Sequence, residues 1–336
     1  MNLWLIGKCQ KMIKRILSFS KKESKLHELD IETAVKENLG TLWIDIIEPT
    51  VEELNNLQKV FNFHSLTIED CMEANQRPKI EEYPGYLFII LVGVREVPDQ
   101  DELEPYQFAM YLGENFVITV REKRGGISLK AVHNRILLKN KRILSHKAGF
   151  LSYVITDTFI DGYLDGLEEI EDEIEEIEEI VVHKPEREVL DKTFDLRTNI
   201  LIIMKAIRPH RIVLRELAID ESPLISDIAQ TYYTDVYDHI LEANDTCSTL
   251  RDRLSSIVDI YLSSASNKMN DTMKLIAVLT AVITVPNLIA SFGGINFVEF
   301  ADKGWEIIKA WPFWTFIGTI LLTSVLIIFI FRKMKL

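Results

Sequence analysis

Between Asp235 and Ser291, alternating steps of three and four residues land on Asp235, Asp238, Glu242, Asp245, Thr249, Asp252, Ser256, Asp259, Ser263, Ser266, Asn270, Met273, Ala277, Thr280, Thr284, Asn287 and Ser291. Such spacing keeps residues on one face of a helix. Every position up to Asp259 except Thr249 and Ser256 is acidic, none in the set is basic, and only Met273 and Ala277 are apolar. The last third of the stripe lies inside Leu275 to Phe292, a run without a charged side chain. Taken separately, the first half reads as a solvated helix face. The second half reads as Ser and Thr hydroxyls bonded to the preceding turn. Asn287 resists that account, because a carboxamide facing lipid leaves its hydrogen-bonding groups unsatisfied. A polar seam that enters an apolar helix without changing phase fits the wall of a cation path. Its length sets a condition: a straight helix drifts about 20° per heptad against this repeat, so the stripe requires supercoiling.

The chain has 336 residues and a net charge of −13, which argues against nucleic acid and anionic lipid as partners and suits a protein that handles cations. Cys9, Cys71 and Cys247 show no paired spacing, and reduced thiols are expected. No P-loop, G-x-G-x-x-G or H-E-x-x-H pattern is present, so an enzyme is disfavoured. The histidines are scattered, and His64 and His210 read as packing residues. Asp157, Asp161 and Asp165 recur every fourth residue, the pattern of a solvated or subunit-facing helix stripe.

Two hydrophobic spans close the chain, residues 275–292 and 313–331, each near the roughly 20 residues that cross a bilayer. Between them, residues 293–312 carry Glu299, Asp302 and Glu306 against Lys303 and Lys309. The outer flanks are basic, with Lys268 and Lys274 before the first span and Arg332, Lys333 and Lys335 after the second. By the positive-inside rule both termini are cytoplasmic and the connecting loop faces outward. Two spans enclose no channel by themselves, so a path requires several copies.

Residues 40–222 read as a mixed α/β domain with an acidic helical hairpin. Thr41–Ile47 and Tyr86–Val94 are strand-like, Gln107–Leu112 and Phe116–Val120 form a hairpin around Gly113, and Thr50–Val60 is helical. Leu151–Val182 is helical too and holds the acidic block Glu168–Glu179, either a solvated face or a concentrator of cations. Residues 1–39 form an N-terminal segment. Its Lys8, Lys11, Lys14 and Arg15 suit either a membrane surface or a frayed end, and Leu3–Ile6 is too short for a signal peptide. Ser222-Pro223 is a helix start, and residues 223–274 are the soluble part of one long helix that reaches Phe292. Pro286 inside it frees the carbonyl of Val282.

Several motifs resemble the CorA-type divalent metal-ion transporters. Tyr261-Leu262-Ser263-Ser264-Ala265-Ser266-Asn267-Lys268, then Asn270 and Met273-Lys274, look like that family's approach to the membrane. Gly294-Ile295-Asn296 stands where the family has its Gly-Met-Asn signature. Trp43-Ile44-Asp45, Ile68-Glu69-Asp70 and Arg77-Pro78-Lys79-Ile80-Glu81 resemble its cytosolic pattern. The resemblance covers roughly residues 40–336. It implies an α+β cytosolic domain, a long stalk helix and two transmembrane helices, assembled as a homopentameric funnel in the cell membrane. Asn296 would form the outer-mouth ring, with Gly293 and Gly294 allowing a tight backbone turn. Asn270, Met273, Ala277, Thr280, Thr284, Asn287 and Ser291 would line the pore, and Asp259 would form a ring at the cytosolic throat. Asp235 matches an intersubunit acidic position where sensors of the family bind metal, with Asp99 a candidate partner. Arg332, Lys333 and Lys335 match a basic collar.

The implied cargo is a divalent cation, Mg2+ first, with no resident cofactor and no nucleic-acid partner. Ile295 replaces the signature methionine and Gly293 the preceding aromatic, which leaves Zn2+, Co2+ or Ni2+ as alternative cargo. No Cys or His falls on the seam, so a tight soft-metal site is not expected there. A reading of another class is a membrane-anchored coiled-coil scaffold or sensor. Such a stalk needs apolar residues at the positions facing its partners.

Overall fold

The structure is a computed structural model that describes residues 13–20, 25–27, 40–73, 76–97, 102–122, 129, 132, 147–219, 222–296 and 311–333. It divides into two compact units, Met1–Ile180 with Glu186–Ile257, and Val181–Pro185 with Val258–Leu336.

The first unit is built on a mixed sheet. Its strands are β1 (Ile13–Ser20), β2 (Lys25–His27), β3 (Gly40–Ile47), β4 (Lys79–Tyr83), β5 (Tyr86–Glu96), β6 (Leu103–Gly113) and β7 (Phe116–Arg121). They lie in the order β2-β1-β3-β7-β6-β5-β4. β3 and β7 run parallel and the other described pairings antiparallel. β5, with the run Tyr-Leu-Phe-Ile-Ile-Leu, is buried residue after residue over its first half. A strand loses its alternation when both faces of the sheet are covered. On one face lie the helices α1 (Val51–Phe61) and α2 (Ser65–Met72), which bury Leu54, Leu57 and Ile68 with Ile44, Phe88, Tyr111 and Ile118. On the other face lie α3 (Ala148–His183) and α4 (Arg187–Ile219). There the rings of Phe108 and Phe159 stand 5.3 Å apart.

Local chemistry sets the boundaries. Thr50 caps α1 through a capping box: its hydroxyl accepts from the Glu53 N–H, and the Glu53 carboxylate accepts from the Thr50 N–H at 2.8 Å. Asn62, at φ 56°, ends that helix in the left-handed conformation that asparagine tolerates. His64 caps α2 by accepting from the Leu66 N–H.

The N-terminal segment departs from both readings offered for it. Ile13–Ser20, with Lys14 and Arg15, is a strand, and Leu17 pairs with Trp43. Its backbone satisfies the edge that β3 would otherwise present to solvent. Lys8 and Lys11 lie outside the described residues. β4 and α2 were also not read from the sequence. β4, Lys-Ile-Glu-Glu-Tyr, sits at the far edge of the sheet, where charged side chains reach water.

α5 (Asp227–Asn296) is a single helix of 70 residues. It starts four residues later than Pro223, because Ser226 is the cap: its hydroxyl accepts from the Ala229 N–H at 3.3 Å. Pro223 instead stands in the preceding turn, where the Ile225 N–H bonds the Ser222 carbonyl. α5 also continues through Gly293 and Gly294 to Asn296, so the expected tight turn is absent at those glycines. Glycine permits a turn without compelling one, and no proline stands between Pro286 and Pro312 to force it.

In the second unit, residues 258–296 of α5 are accompanied by α6 (Trp311–Lys333). Among the described residues, α5 is the helix long and apolar enough to cross a membrane, and none of its apolar window is buried. α6 carries a shorter described apolar run, Ile317–Phe329. Leu275, Ile283, Leu288, Leu322 and Val325 are each more than half exposed in the single chain. A continuous apolar surface of this kind requires lipid or protein around it.

His210 ties α4 to the sheet. Its Nε2 accepts from the Val92 N–H at 3.2 Å, and its Nδ1 faces the Ala206 carbonyl at 2.7 Å. That pair of bonds suits the neutral ring, and burial lowers its pKa from 6.5 to about 4. The depressed value makes the stability it supports complete above about 6.5, with loss as pH falls from there towards 4. Replacing His210 with Gln is expected to flatten this acid limb while lowering stability at neutral pH by about 1–3 kcal/mol. Thermal unfolding followed across the window checks both effects.

Candidate ion path and metal-binding residues

α5 is two-faced within the first unit. Ala229, Tyr233, Val236, Ile240, Ala243, Cys247, Leu250, Leu254 and Ile257 are buried and recur at steps of three and four. The seam residues Asp235, Asp238, Glu242, Asp245, Thr249, Asp252 and Ser256 are all exposed on the opposite side. The packed face therefore fixes the rotation of the helix and leaves the acids free of the core.

The acidic block of α3 has a specific use. Leu167, Ile170, Ile174 and Ile177 point into the core, as their spacing predicts. On the flank, Arg253 of α5 donates to both carboxylate oxygens of Glu178, at 3.1 and 2.9 Å, and to Glu171 at 2.7 Å. Glu175 stands 3.8 Å away. One half-buried guanidinium thus neutralises the inner edge of the block and clamps α5 to α3. Hydrogen bonding to Glu178 leads the effects that raise the Arg253 pKa, so the charge is fixed at any physiological pH.

Asp235 falls in a second cluster. It lies one turn before His239, whose Nε2 stands 4.0 Å from the Asp235 carboxylate. His239 Nδ1 is 3.3 Å from Asp161, and Tyr153 donates to Asp157 at 3.5 Å. One ligand atom from each of Asp157, Asp161 and His239 lies within 4.8 Å of the others. This group was not assembled from the sequence. The available signals were two pairs at i, i+4, Asp157 with Asp161 and Asp235 with His239, and only the packing of α3 on α5 joins them. Two carboxylates and one imidazole make a donor set that accepts Co2+, Ni2+ or Zn2+ as well as Mg2+. Asp99 lies outside the described residues.

Other motifs of the first unit hold the fold. Asp45 is buried and takes a bidentate pair from Arg121, at 3.1 and 2.9 Å, while Thr119 donates to it at 2.9 Å. Trp43 in turn donates to Thr119. Lys79 bridges Asp70 and Glu81, both at 2.7 Å. The described thiols are inert: Cys71 and Cys247 are unpaired, and burial raises both to about 12.

In the second unit, Asp259, Ser263, Ser266, Asn270, Met273, Ala277, Thr280, Thr284, Asn287 and Ser291 are all exposed in the single chain. Thr280 and Ser291 donate to the carbonyls of Ile276 and Asn287, at 2.8 and 2.9 Å. Their hydroxyl oxygens remain available as acceptors. Thr284 and Asn287 have no side-chain partner among the described residues. The backbone of Gly294, Ile295 and Asn296 forms the last turn of α5, and the side chains of 292–296 lie outside the described residues. Lys333 is exposed at the end of α6; the Arg332 side chain and Lys335 also lie outside the described residues.

The family described as CorA-like Mg2+ transporter protein matches residues 38–333. The cobalt/magnesium transport protein CorA of Thermotoga maritima is 32% identical over 311 residues, 91% of this chain and 87% of that protein. A putative metal ion transporter of Bacillus subtilis, YfjQ, is 32% identical over 84% of this chain and 86% of its own. Among solved structures, the complete CorA magnesium transporter of Methanocaldococcus jannaschii superposes with a TM-score of 0.77 at 25% identity, covering 95% of this chain and 97% of that one. The family and these relatives are transporters of metal ions, and the fold, an α/β domain followed by a very long helix, is that of the matched CorA structure. The chain belongs to the CorA family.

Replacing Arg253 with Gln is expected to cost about 1–3 kcal/mol, since three carboxylates lose their shared cation. The loss shrinks as salt screens the repulsion. Thermal unfolding at low and high ionic strength measures it.

Proposed function

We propose that the chain is a homopentameric channel that admits hydrated Mg2+ across the cell membrane, with both termini in the cytoplasm. The observation that carries this reading is Asn287. It stands on an apolar helix, in phase with the acidic seam, without a partner among the described residues of its own chain. Five copies converging on one axis give such a carboxamide an aqueous neighbour instead of acyl chains. Asn270, Met273, Ala277, Thr280, Thr284 and Ser291 share that wall, and Asp259 makes a ring of carboxylates at the throat. Repulsion within stacked acidic rings is strong unless cations occupy the axis, so the arrangement selects for positive cargo.

At the outer end of the path, a ring of Asn296 carboxamides hydrogen-bonds the water shell of a small dication, which sheds that shell reluctantly. Neutral oxygens hold the hydrated ion without trapping it as carboxylates would. Arg332, Lys333 and Lys335 form a basic collar at the cytoplasmic membrane face, consistent with the positive-inside rule.

The relatives' names include cobalt as well as magnesium, and the Asp157, Asp161 and His239 cluster supports a regulatory site that reads transition metals. We place Asp235 at the same site, where a bound ion bridges α3 and α5 and favours the closed channel. Co2+ is expected to raise the melting temperature of the wild type, and His239→Ala to remove most of that shift while leaving the Mg2+ shift largely intact. Equal loss for both ions would remove the imidazole from the site.

Transport is tested by uptake of Mg2+, Co2+ and Zn2+ into liposomes. Asn296→Ala is expected to reduce Mg2+ uptake by about tenfold or more, the scale of one well-placed polar interaction repeated around a ring. Uptake indifferent to that change overturns the assigned mouth. Zn2+ uptake faster than Mg2+ uptake overturns the choice of cargo.

A further inference from the structure

α4 carries a ladder of arginines that the transport reading does not use. Arg208, Arg211 and Arg215 are exposed on one face of the helix, at spacings of three and four. They line a cavity of about 440 Å³ together with Ile212, Ile219 and Tyr237. This is within the size range of small-molecule sites. One carboxylate, Glu216, shares the rim, which leaves the cavity net positive.

These guanidiniums lack counter-charge while standing together at one cavity. In a chain of net charge −13, Lys79, Arg95, Arg121 and Arg253 each bind one or more carboxylates. Arg208, Arg211 and Arg215 form no ion pair among the described residues, although like charges three and four apart on a helix repel each other. Guanidinium forks match phosphate oxygens in geometry and bind them in preference to water. Beside the ladder, Ile212 is 65% and Ile219 59% exposed, and Tyr237 on α5 is half-buried. An aromatic face next to apolar side chains receives a planar ring, and a row of arginines next to it receives a chain of phosphates.

The geometry points to a binding site for a nucleoside polyphosphate in this cavity, with the phosphates on Arg208, Arg211 and Arg215 and the base against Tyr237. The site belongs wholly to the first unit, and none of its lining residues is a member of the metal cluster or of the seam. Its occupant is expected to act on the protein as a ligand, independently of whether the ion path is assigned correctly.

The test is isothermal titration calorimetry on the full-length protein in detergent, with metal removed by chelator so that cation binding adds no heat. ATP, pyrophosphate and inorganic phosphate are titrated separately. The expected result is saturable binding of ATP and pyrophosphate, with ATP tighter. Arg211→Gln with Arg215→Gln weakens both by about tenfold or more. Tyr237→Leu weakens ATP several-fold and leaves pyrophosphate unchanged. Melting temperature and assembly size of each unliganded variant confirm that it folds. If the double variant does not fold, Arg208→Gln alone is expected to show a several-fold loss for both ligands. Absence of saturable binding to the wild type at about 5 mM ligand overturns the proposal, as does binding that the arginine variants leave unchanged. A double variant whose assembly falls apart, with a wild type that binds no polyphosphate, assigns the arginines to acids of a neighbouring copy and also overturns it.

Discussion

The opposition between the two faces of α5 governs the first unit. Val236, Ile240, Ala243, Cys247, Leu250, Leu254 and Ile257 are buried on one side, and the acids from Asp235 to Asp252 stand on the other. Burying one such aliphatic side chain contributes about 1.5–3 kcal/mol, whereas a surface ion pair contributes at most about 1 kcal/mol. Packing therefore sets the rotation of the helix, and the charges follow. Because no seam acid is needed in the core, the chain tolerates a run of like charge that would otherwise prevent folding. Arg253 marks the boundary between the faces and turns part of that charge excess into a clamp on α3.

The sheet depends on a similar separation. Its central strands are covered on both faces, so polar groups inside it need internal partners. Asp45 finds Arg121 and Thr119, and His210 finds the Val92 N–H from across the α4 interface. Trp43-Ile44-Asp45 and Lys79-Ile80-Glu81, which resemble the family's cytosolic pattern in the sequence, thus supply the buried and edge ion pairs of the scaffold.

Much of this was legible in the residues. The strands β3, β5, β6 and β7, the helices α1 and α3, and the exposed phase of the seam all follow from short-range periodicity. What escaped depends on contacts distant in sequence. β1 has no strong alternation and becomes a strand because β3 offers an unpaired edge. β4 is too charged to read as a strand until it is seen to lie at the border of the sheet. His239 looked like a scattered histidine, since its neighbours Asp157 and Asp161 arrive from a helix some 80 residues earlier in the chain. The start of α5 moved from Pro223 to Asp227 because two serines compete for the cap, and only the local backbone shows which one accepts from the first turn.

The sequence by itself determined which residues share a face of α5, because helical periodicity is local and the alternation of three and four holds in any fold that keeps the helix. It also determined that part of that helix is too apolar for water. Only the tertiary structure decided which face is packed, since burial requires a partner surface, and α3 supplies it. The same holds for the grouping of Asp157, Asp161 and His239 and for the arginines that no acid reaches. Proximity between helices is set by how their apolar ridges dock, and no spacing along one chain segment encodes it.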